Sequence, residues 1–207
     1  MTGHRLEGIV WWVTMVAVHS TMLPLGTTAP DFTLPDQSGE LRSLDSIAEG
    51  ASALVVAFIS SHCPYVQHIA VALGQVATEL AAVGVAVVGI GSNDVDSSPD
   101  DAPDRIAEAA GEWGWEFPCV FDADQSVAHA YRAACTPDFF VFDRNRRLVY
   151  RGQMDGARPS NDVAVTGEDL RAAALAAAAG SPPPEQQLPS LGCNIKWKSG
   201  NEPDWFR

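Results

Sequence analysis

The chain has 207 residues, of which 46% are hydrophobic and 19% are charged. These proportions are typical of a globular protein with a sizeable core and exclude a disordered chain. The formal net charge is −13, which argues against electrostatic binding to nucleic acid or to an anionic membrane surface.

The first 22 residues are interpreted as an N-terminal extension. Their apolar run, residues 9–18, is too short to span a bilayer. His4 and Arg5 before this run and residues 18–20 after it resemble a poor signal peptide, whereas Glu7 argues against one. A translation start at Met15 or Met22 is a further alternative. We expect a cytoplasmic protein, with export as the alternative if the first 20 residues act as a signal.

Segments with the pattern of buried strands alternate with segments of helical periodicity, as in α/β proteins. The continuously apolar run 53–59 predicts a buried strand, and the 3.6-residue periodicity of 64–83 predicts a long helix that ends at Gly84. Other predicted strands are 85–90, 117–121, 139–142 and 148–151, and other predicted helices are 102–111, 126–133 and 168–179.

This alternation predicts one domain over residues 23–180, followed by a tail over residues 181–207. A stiff proline-rich linker begins the tail. The tail contains Cys193, Trp197 and Trp205, which is unusually apolar for a free chain end. We therefore expect it to pack on the domain.

Cys63 stands at the junction of the first buried strand and the long helix. The free N–H groups and the dipole of a helix N-terminus stabilise a thiolate, and the thiolate is the reactive form of cysteine. Position therefore nominates Cys63 as a nucleophile or redox centre. The preceding residue, His62, would lower the thiol pKa as an imidazolium or accept the proton as a neutral ring. A solvent-facing loop histidine is the alternative.

The four cysteines do not form a recognisable structural framework. Cys63, Cys119, Cys135 and Cys193 are too few for a disulfide scaffold in a chain of this length, and no C-x-x-C pair suggests zinc. Cys119 lies in an apolar strand and is assigned to packing. Asp101 and Asp122 lie in acidic loop segments that we interpret as solvated, without the ligand spacing of a calcium loop.

Three motifs give the chain a family resemblance. These are residues 29–32 (Ala-Pro-Asp-Phe), residues 62–66 (His-Cys-Pro-Tyr-Val) and residues 135–140 (Cys-Thr-Pro-Asp-Phe-Phe). With the ending from residue 192 onward, they resemble the peroxiredoxin-like branch of the thioredoxin fold, also described as the alkyl hydroperoxide reductase and thiol-specific antioxidant type. The resemblance runs from about Met22 to the end of the chain.

The resemblance implies an α/β thioredoxin-like fold with a central mixed sheet flanked by helices. It also implies that Cys63 corresponds to the first cysteine of the thioredoxin C-x-x-C pair, with Val66 in place of the second. Ordinary peroxiredoxins place their reactive cysteine at that second position, after a Thr and Pro motif that is missing here. Neither parent mechanism therefore transfers intact.

Pro137 matches the cis-proline that faces the active site in this fold. By resemblance it shapes a substrate groove together with Thr136, and we assign further substrate contacts to Pro64 and Tyr65. The fold would bring Cys135 close to Cys63, so Cys135 is the first candidate for the resolving thiol and Cys193 is the second. A small buried apolar role is the alternative for both.

These residues predict a thiol-disulfide oxidoreductase or a peroxiredoxin-like antioxidant enzyme that acts through Cys63, with a role in cell redox homeostasis. Its substrate would be a peroxide or a disulfide, and its electrons would come from a small thiol or a dithiol. No cofactor or metal is expected, and a homodimer is left open. One alternative is a copper-binding module that uses His62, Cys63 and Cys135 as soft ligands. The other is a non-catalytic binding protein.

Overall fold

A computed structural model describes residues 17–205 of the chain. The helices are α1 (Leu44–Ile47), α2 (Pro64–Ala81), α3 (Pro103–Glu112), α4 (Ser126–Tyr131) and α5 (Glu168–Ala178), with a 3-10 turn at Pro99–Asp101. The strands are β1 (Ala17–His19), β2 (Thr33–Pro35), β3 (Leu41–Ser43), β4 (Ala53–Ile59), β5 (Val85–Gly91), β6 (Cys119–Phe121), β7 (Cys135–Thr136), β8 (Asp138–Asp143), β9 (Leu148–Gly152) and β10 (Leu191–Asn194).

A five-stranded mixed sheet in the order β6-β5-β4-β8-β9 forms the centre of the protein. The strands β6, β5 and β4 run parallel, whereas β8 and β9 join antiparallel to their neighbours. Every residue of β4 is buried, as expected for a central strand with both faces covered. The predicted mixed α/β architecture is confirmed.

Alternate residues of the central strands face two separate hydrophobic clusters. One cluster contains Ala57 and Ile59 of β4 with the buried faces of α2 and α5. The other contains Val56 and Phe58 with the N-terminal segment, α4 and Trp197 of the tail. The carboxyl end of β4 leads directly into α2, so Cys63 lies where the sheet and the long helix meet.

The tail packs on the domain through a second, three-stranded sheet in the order β1-β10-β7. The Cα register places Cys193 opposite Thr136 and Asn194 opposite Cys135. Gly192 is required at this contact, because a Cβ added there would lie 2.0 Å from the Thr136 carbonyl oxygen. The pairing therefore brings the tail backbone against the residues that precede Pro137.

The predicted central strands and helices occur at their expected positions, with ends that differ by a few residues. The short strands β1, β2, β3, β7 and β10 are not among the predicted strands. Because β1 pairs with β10, regular structure begins before residue 23. Residues 1–16 of the predicted extension lie outside the described residues, and the boundary of the extension stays a prediction. Within residues 17–205, no helix is both long and apolar enough to cross a membrane.

Candidate active site

Cys63 is the N-cap residue of α2, and Pro64 occupies the first turn of that helix. The sulfur has 0% exposure to solvent. It nevertheless lies at the bend before Pro137, because its thiol can donate a hydrogen bond of 3.0 Å to the Thr136 carbonyl oxygen. The Thr136–Pro137 peptide bond is cis, as the sequence resemblance implies. Cys63 is therefore sealed from solvent yet surrounded by backbone polar groups.

The Cys193 side chain is the main polar partner of the Cys63 sulfur. A hydrogen bond from the Cys193 thiol lowers the pKa of Cys63 well below its ordinary value, although burial opposes this shift. The same contact raises the pKa of Cys193, and burial adds to the rise. The site therefore favours one proton distribution, in which Cys63 is the thiolate and Cys193 is the thiol that donates to it.

Backbone groups support both protonation states of Cys63. The N–H groups of Cys193 and Val66 face the sulfur and lower its pKa, although Cys63 completes no capping hydrogen bond with its side chain. The Thr136 carbonyl can accept only from the protonated thiol. The sulfur can therefore ionise without leaving its position.

Cys135 is placed differently from the sequence expectation. In the register of β10 with β7 it lies opposite Asn194, so its side chain projects to the other face from Thr136 and Cys193. Its sulfur lies 3.6 Å from the Pro137 carbonyl oxygen. Burial raises its pKa well above the ordinary value, and the neighbouring Asp138 adds to the rise. The geometry therefore favours Cys193 over Cys135 as the partner of Cys63, the reverse of the order expected from sequence.

His62 forms an ion pair with a buried carboxylate. Its Nδ1 lies 2.9 Å from Oδ2 of Asp101 and the His62 side chain is 21% exposed. The hydrogen bond to Asp101 raises the pKa of His62, whereas burial opposes the rise. The histidine is therefore neither freely exposed nor unpaired. It precedes Cys63 in the chain, and its contact with Asp101 stabilises the protonated imidazolium.

The interpretation of Asp101 and Asp122 as solvated loop residues was wrong, because their exposures are only 3% and 1%. Asp122 accepts hydrogen bonds from the N–H groups of Val127 and Ala128 at the start of α4. Asp101 accepts from the Ser60 hydroxyl, the Ser61 N–H group and Asn93. Ser60 lies 41 residues before Asp101, and Ser92, which donates to Asp122, lies 30 residues before it. The burial of both carboxylates therefore depends in part on contacts that no local pattern shows.

Lys196 is a further buried charged residue that was not identified from the sequence. It is 7% exposed, and its amine donates to the backbone and side-chain oxygens of Asn194 at 2.8 and 3.1 Å. Burial lowers its pKa, whereas the nearby Cys193, Cys63 and Asp101 act in the opposite direction. The available signal was a lysine between Ile195 and Trp197, which are both buried.

Two of the residues assigned to substrate contact lie next to Cys63, and the other two line a nearby cleft. Pro64 is in the first turn of α2, and Thr136 contacts Cys63. Tyr65 and Pro137 line a cleft of about 270 Å³, a volume that includes space open to solvent, together with Ile69, Phe139 and Arg158. Of the four residues assigned to substrate contact, Tyr65 and Pro137 line this cleft.

Comparison with known proteins places these features in a family. A profile described as the AhpC/TSA family matches residues 25–151, more than half of the chain. The chain belongs to the AhpC/TSA family. No curated protein matches it.

Solved structures extend this result across most of the chain. An uncharacterized conserved protein from Geobacillus kaustophilus is 47% identical with a TM-score of 0.86, covering 89% of this chain and 97% of that one. A hypothetical protein from Sinorhizobium meliloti is 50% identical with a TM-score of 0.86, covering 88% and 99%.

A more distant structure defines the fold. The thioredoxin domain of a thiol-disulfide oxidoreductase from Bacteroides vulgatus is 19% identical with a TM-score of 0.54, covering 63% of this chain and 89% of that one. At this identity the match shows the fold alone. The thioredoxin-like fold and the resemblance inferred from the motifs are both confirmed.

The copper-binding alternative requires soft ligands that lie close together in this AhpC/TSA family member. That alternative needs His62, Cys63 and Cys135 together, but His62 pairs with Asp101 and Cys135 lies on the other face of β7 from the site. Among residues 17–205, no group of three or more His, Cys, Asp or Glu residues is arranged to hold a metal ion. The donor set therefore gives the copper alternative no support.

Proposed function

We propose that this AhpC/TSA family protein is a thiol-dependent, peroxiredoxin-like oxidoreductase in which Cys63 is the nucleophile and Cys193 is the resolving thiol. The observation that carries the proposal is the register that places Cys193 opposite Thr136, whose carbonyl oxygen lies 3.0 Å from the Cys63 sulfur. The two thiols therefore meet at the start of α2, where each shifts the pKa of the other. The Cys193 thiol stabilises the Cys63 thiolate before oxidation and is already in place to attack Cys63 afterwards.

With a hydroperoxide as substrate, the Cys63 thiolate attacks the terminal oxygen and the O–O bond breaks. The departing alkoxide or hydroxide takes a proton from His62, which gives an alcohol or water and leaves Cys63 as a sulfenic acid. The Cys193 sulfur then attacks the sulfur of the sulfenic acid. The S–O bond breaks, the Cys193 proton leaves with the hydroxyl as water, and a Cys63–Cys193 disulfide forms.

Two electrons from an external small thiol or dithiol return the pair to its starting state. A thiolate of the reductant attacks one sulfur of the disulfide, and a second reductant thiol releases the resulting mixed disulfide. The cycle therefore consumes a thiol pair for each peroxide and requires no flavin or nicotinamide.

The complete burial of Cys63 bears on the choice of oxidant. A sulfur with 0% exposure is more accessible to a small hydroperoxide than to a disulfide in a folded protein, which would need the sulfur at the surface. We therefore propose a hydroperoxide as the substrate. We also propose the cytoplasmic location that the sequence predicts.

The test is consumption of hydrogen peroxide with dithiothreitol as the electron donor. We expect Cys63→Ser to reduce turnover to the rate of the solution without protein. Cys119→Ala is the matched control, because Cys119 is buried in β6, where burial raises its pKa to about 12. Full turnover by Cys63→Ser would show that the proposed function is wrong.

A further inference from the structure

Asp101 is the most heavily hydrogen-bonded carboxylate near the reactive cysteine. Its oxygens accept from the hydroxyl of Ser60 at 3.0 Å, from the N–H group of Ser61 at 2.7 Å and from Nδ2 of Asn93 at 2.5 Å. The ion pair with His62 adds another contact. Burial by itself would raise the pKa of Asp101, but the hydrogen bonds from His62, Asn93 and Ser60 outweigh burial and lower it.

The donors to Asp101 come from separate parts of the fold. Ser60 and His62 lie in the loop between β4 and α2, whereas Asn93 follows β5. Asn93 also accepts a hydrogen bond of 2.8 Å from the N–H group of Lys196, just after β10. Asp101 is therefore held between the loop that carries the nucleophile and the segment that carries Cys193.

We propose that Asp101 is a positioning residue that acts through His62, holding the imidazole by Nδ1 beside Cys63. This inference rests on the proposed function. With Nδ1 bound to Asp101, Nε2 is the nitrogen that can deliver a proton to the oxygen leaving from the peroxide. Asp101 itself touches neither the substrate nor the reacting sulfur.

Charged groups around His62 act on its pKa in opposite directions. His62 also lines a surface pocket with the charged residues Asp100, Arg105, Glu108 and Glu112. Asp101 raises its pKa through the hydrogen bond and through its charge, and the thiolate of Cys63 also raises it. Burial and the charge of Lys196 lower it. The net shift is upward, so removal of the Asp101 charge is expected to move the His62 titration to lower pH.

The test follows the His62 imidazole by NMR between pH 5 and 9 and, in parallel, the reduction of hydrogen peroxide with dithiothreitol at pH 7. In the wild type, His62 is expected to titrate above the ordinary histidine value of about 6.5. In Asp101→Asn, its titration is expected to move to lower pH and turnover to fall on the order of tenfold. Asp100→Asn is the matched control, since its carboxylate is exposed in the same 3-10 turn, and it is expected to change neither quantity.

A double-mutant comparison separates positioning from a general structural effect. In a His62→Gln background, Asp101→Asn is expected to change turnover less than about twofold, because its effect passes through the histidine. An undiminished loss in that background, or an unchanged His62 titration in Asp101→Asn, would overturn the proposal.

Two further outcomes keep the inference separate from folding and from the proposed function. If Asp101→Asn does not fold, a wild-type His62 titration at or below the ordinary value still overturns the proposal. If Cys63→Ser retains turnover, the proposed function fails, whereas the NMR titration continues to test the Asp101–His62 pair by itself.

Discussion

Cys63 and Cys135 are two buried thiols at the same bend, and their surroundings give them opposite properties. Both have 0% exposure. Cys63 contacts the carbonyl group of Thr136, and Cys135 is the residue before Thr136. The hydrogen bond from Cys193 lowers the pKa of Cys63, whereas burial raises the pKa of Cys135. Burial alone therefore makes a thiol inert, and well-placed donors make it reactive.

The carboxylates near the two thiols show the same contrast. Asp101, on the Cys63 side, is surrounded by donors. Asp138, on the Cys135 side, is fully buried and neither of its oxygens has a hydrogen-bond partner among residues 17–205. Burial raises the pKa of Asp138 to about 7, and Ser20 and Ser190 face it and limit the rise without completing hydrogen bonds. The carboxylate on the Cys63 side is therefore buried with hydrogen-bond donors, whereas the carboxylate on the Cys135 side is buried without them.

The largest expected effect is the contribution of Asp138 to the pH dependence of the free energy of unfolding. Because the folded pKa of about 7 lies above the model value of 3.8, the folded state retains a proton that the unfolded state loses. The free energy of unfolding is therefore expected to fall by at most roughly 4 kcal/mol as the pH rises from about 4 to above 7. Asp138→Asn is expected to remove this decline in urea unfolding experiments.

The control for this measurement is Asp96→Asn, which changes an exposed loop carboxylate and should leave the decline with pH in place. A decline in Asp138→Asn equal to that of the wild type would show that Asp138 is ionised in the folded protein. The contrast between the two sides of the bend would then be incorrect.

A second prediction breaks the pairing of the tail with β7. In Gly192→Ala the new Cβ would meet the Thr136 carbonyl oxygen at 2.0 Å, so the tail must shift away from Cys63. The free energy of unfolding is expected to fall by about 3 kcal/mol, and alkylation of Cys63 by iodoacetamide is expected to become faster. The measurements are urea unfolding and mass spectrometry of the alkylated peptide.

Gly111→Ala is the matched control for Gly192→Ala. Nothing lies within 4 Å of a Cβ added at Gly111, which lies inside α3, and this change is expected to stabilise the helix by about 0.5–1 kcal/mol. Equal stability of Gly192→Ala and the wild type would contradict the close approach of the tail to the Thr136 carbonyl.

The smallest expected effect isolates the donor from Cys193. Cys193→Ala removes the hydrogen bond that favours the thiolate, so the pH midpoint for alkylation of Cys63 is expected to rise. Cys193→Ser retains a hydroxyl donor at the same position and is expected to keep the midpoint closer to that of the wild type. Identical midpoints in all three proteins would mean that Cys193 does not set the ionisation of Cys63.

Local sequence patterns predicted the two backbone features that form the site. The apolar run of β4 followed by Cys63 and Pro64 defined the strand–helix junction, and the residues around Pro137 defined the bend. Asp138 is the first residue of the apolar strand β8, whereas the predicted strand begins one residue later, at Phe139. An acid at that position indicates a buried carboxyl group.

The choice between the two candidate partners of Cys63 was beyond local patterns. It depends on the register of β10 with β7, which places Cys193 opposite Thr136 and turns Cys135 to the other face. A shift of one residue in that register would exchange the two faces. The burial of Asp101 likewise depends on Ser60 and His62, about 40 residues earlier in the chain.

The most direct measurement is the identity of the disulfide formed after one equivalent of hydrogen peroxide. The oxidised protein is alkylated, digested without reduction and mapped by mass spectrometry. We predict a single intramolecular cross-link that joins Cys63 to Cys193, with Cys119 and Cys135 recovered as alkylated thiols. A Cys63–Cys135 cross-link, or a Cys63 that remains alkylated as a free thiol, would contradict the proposed pair.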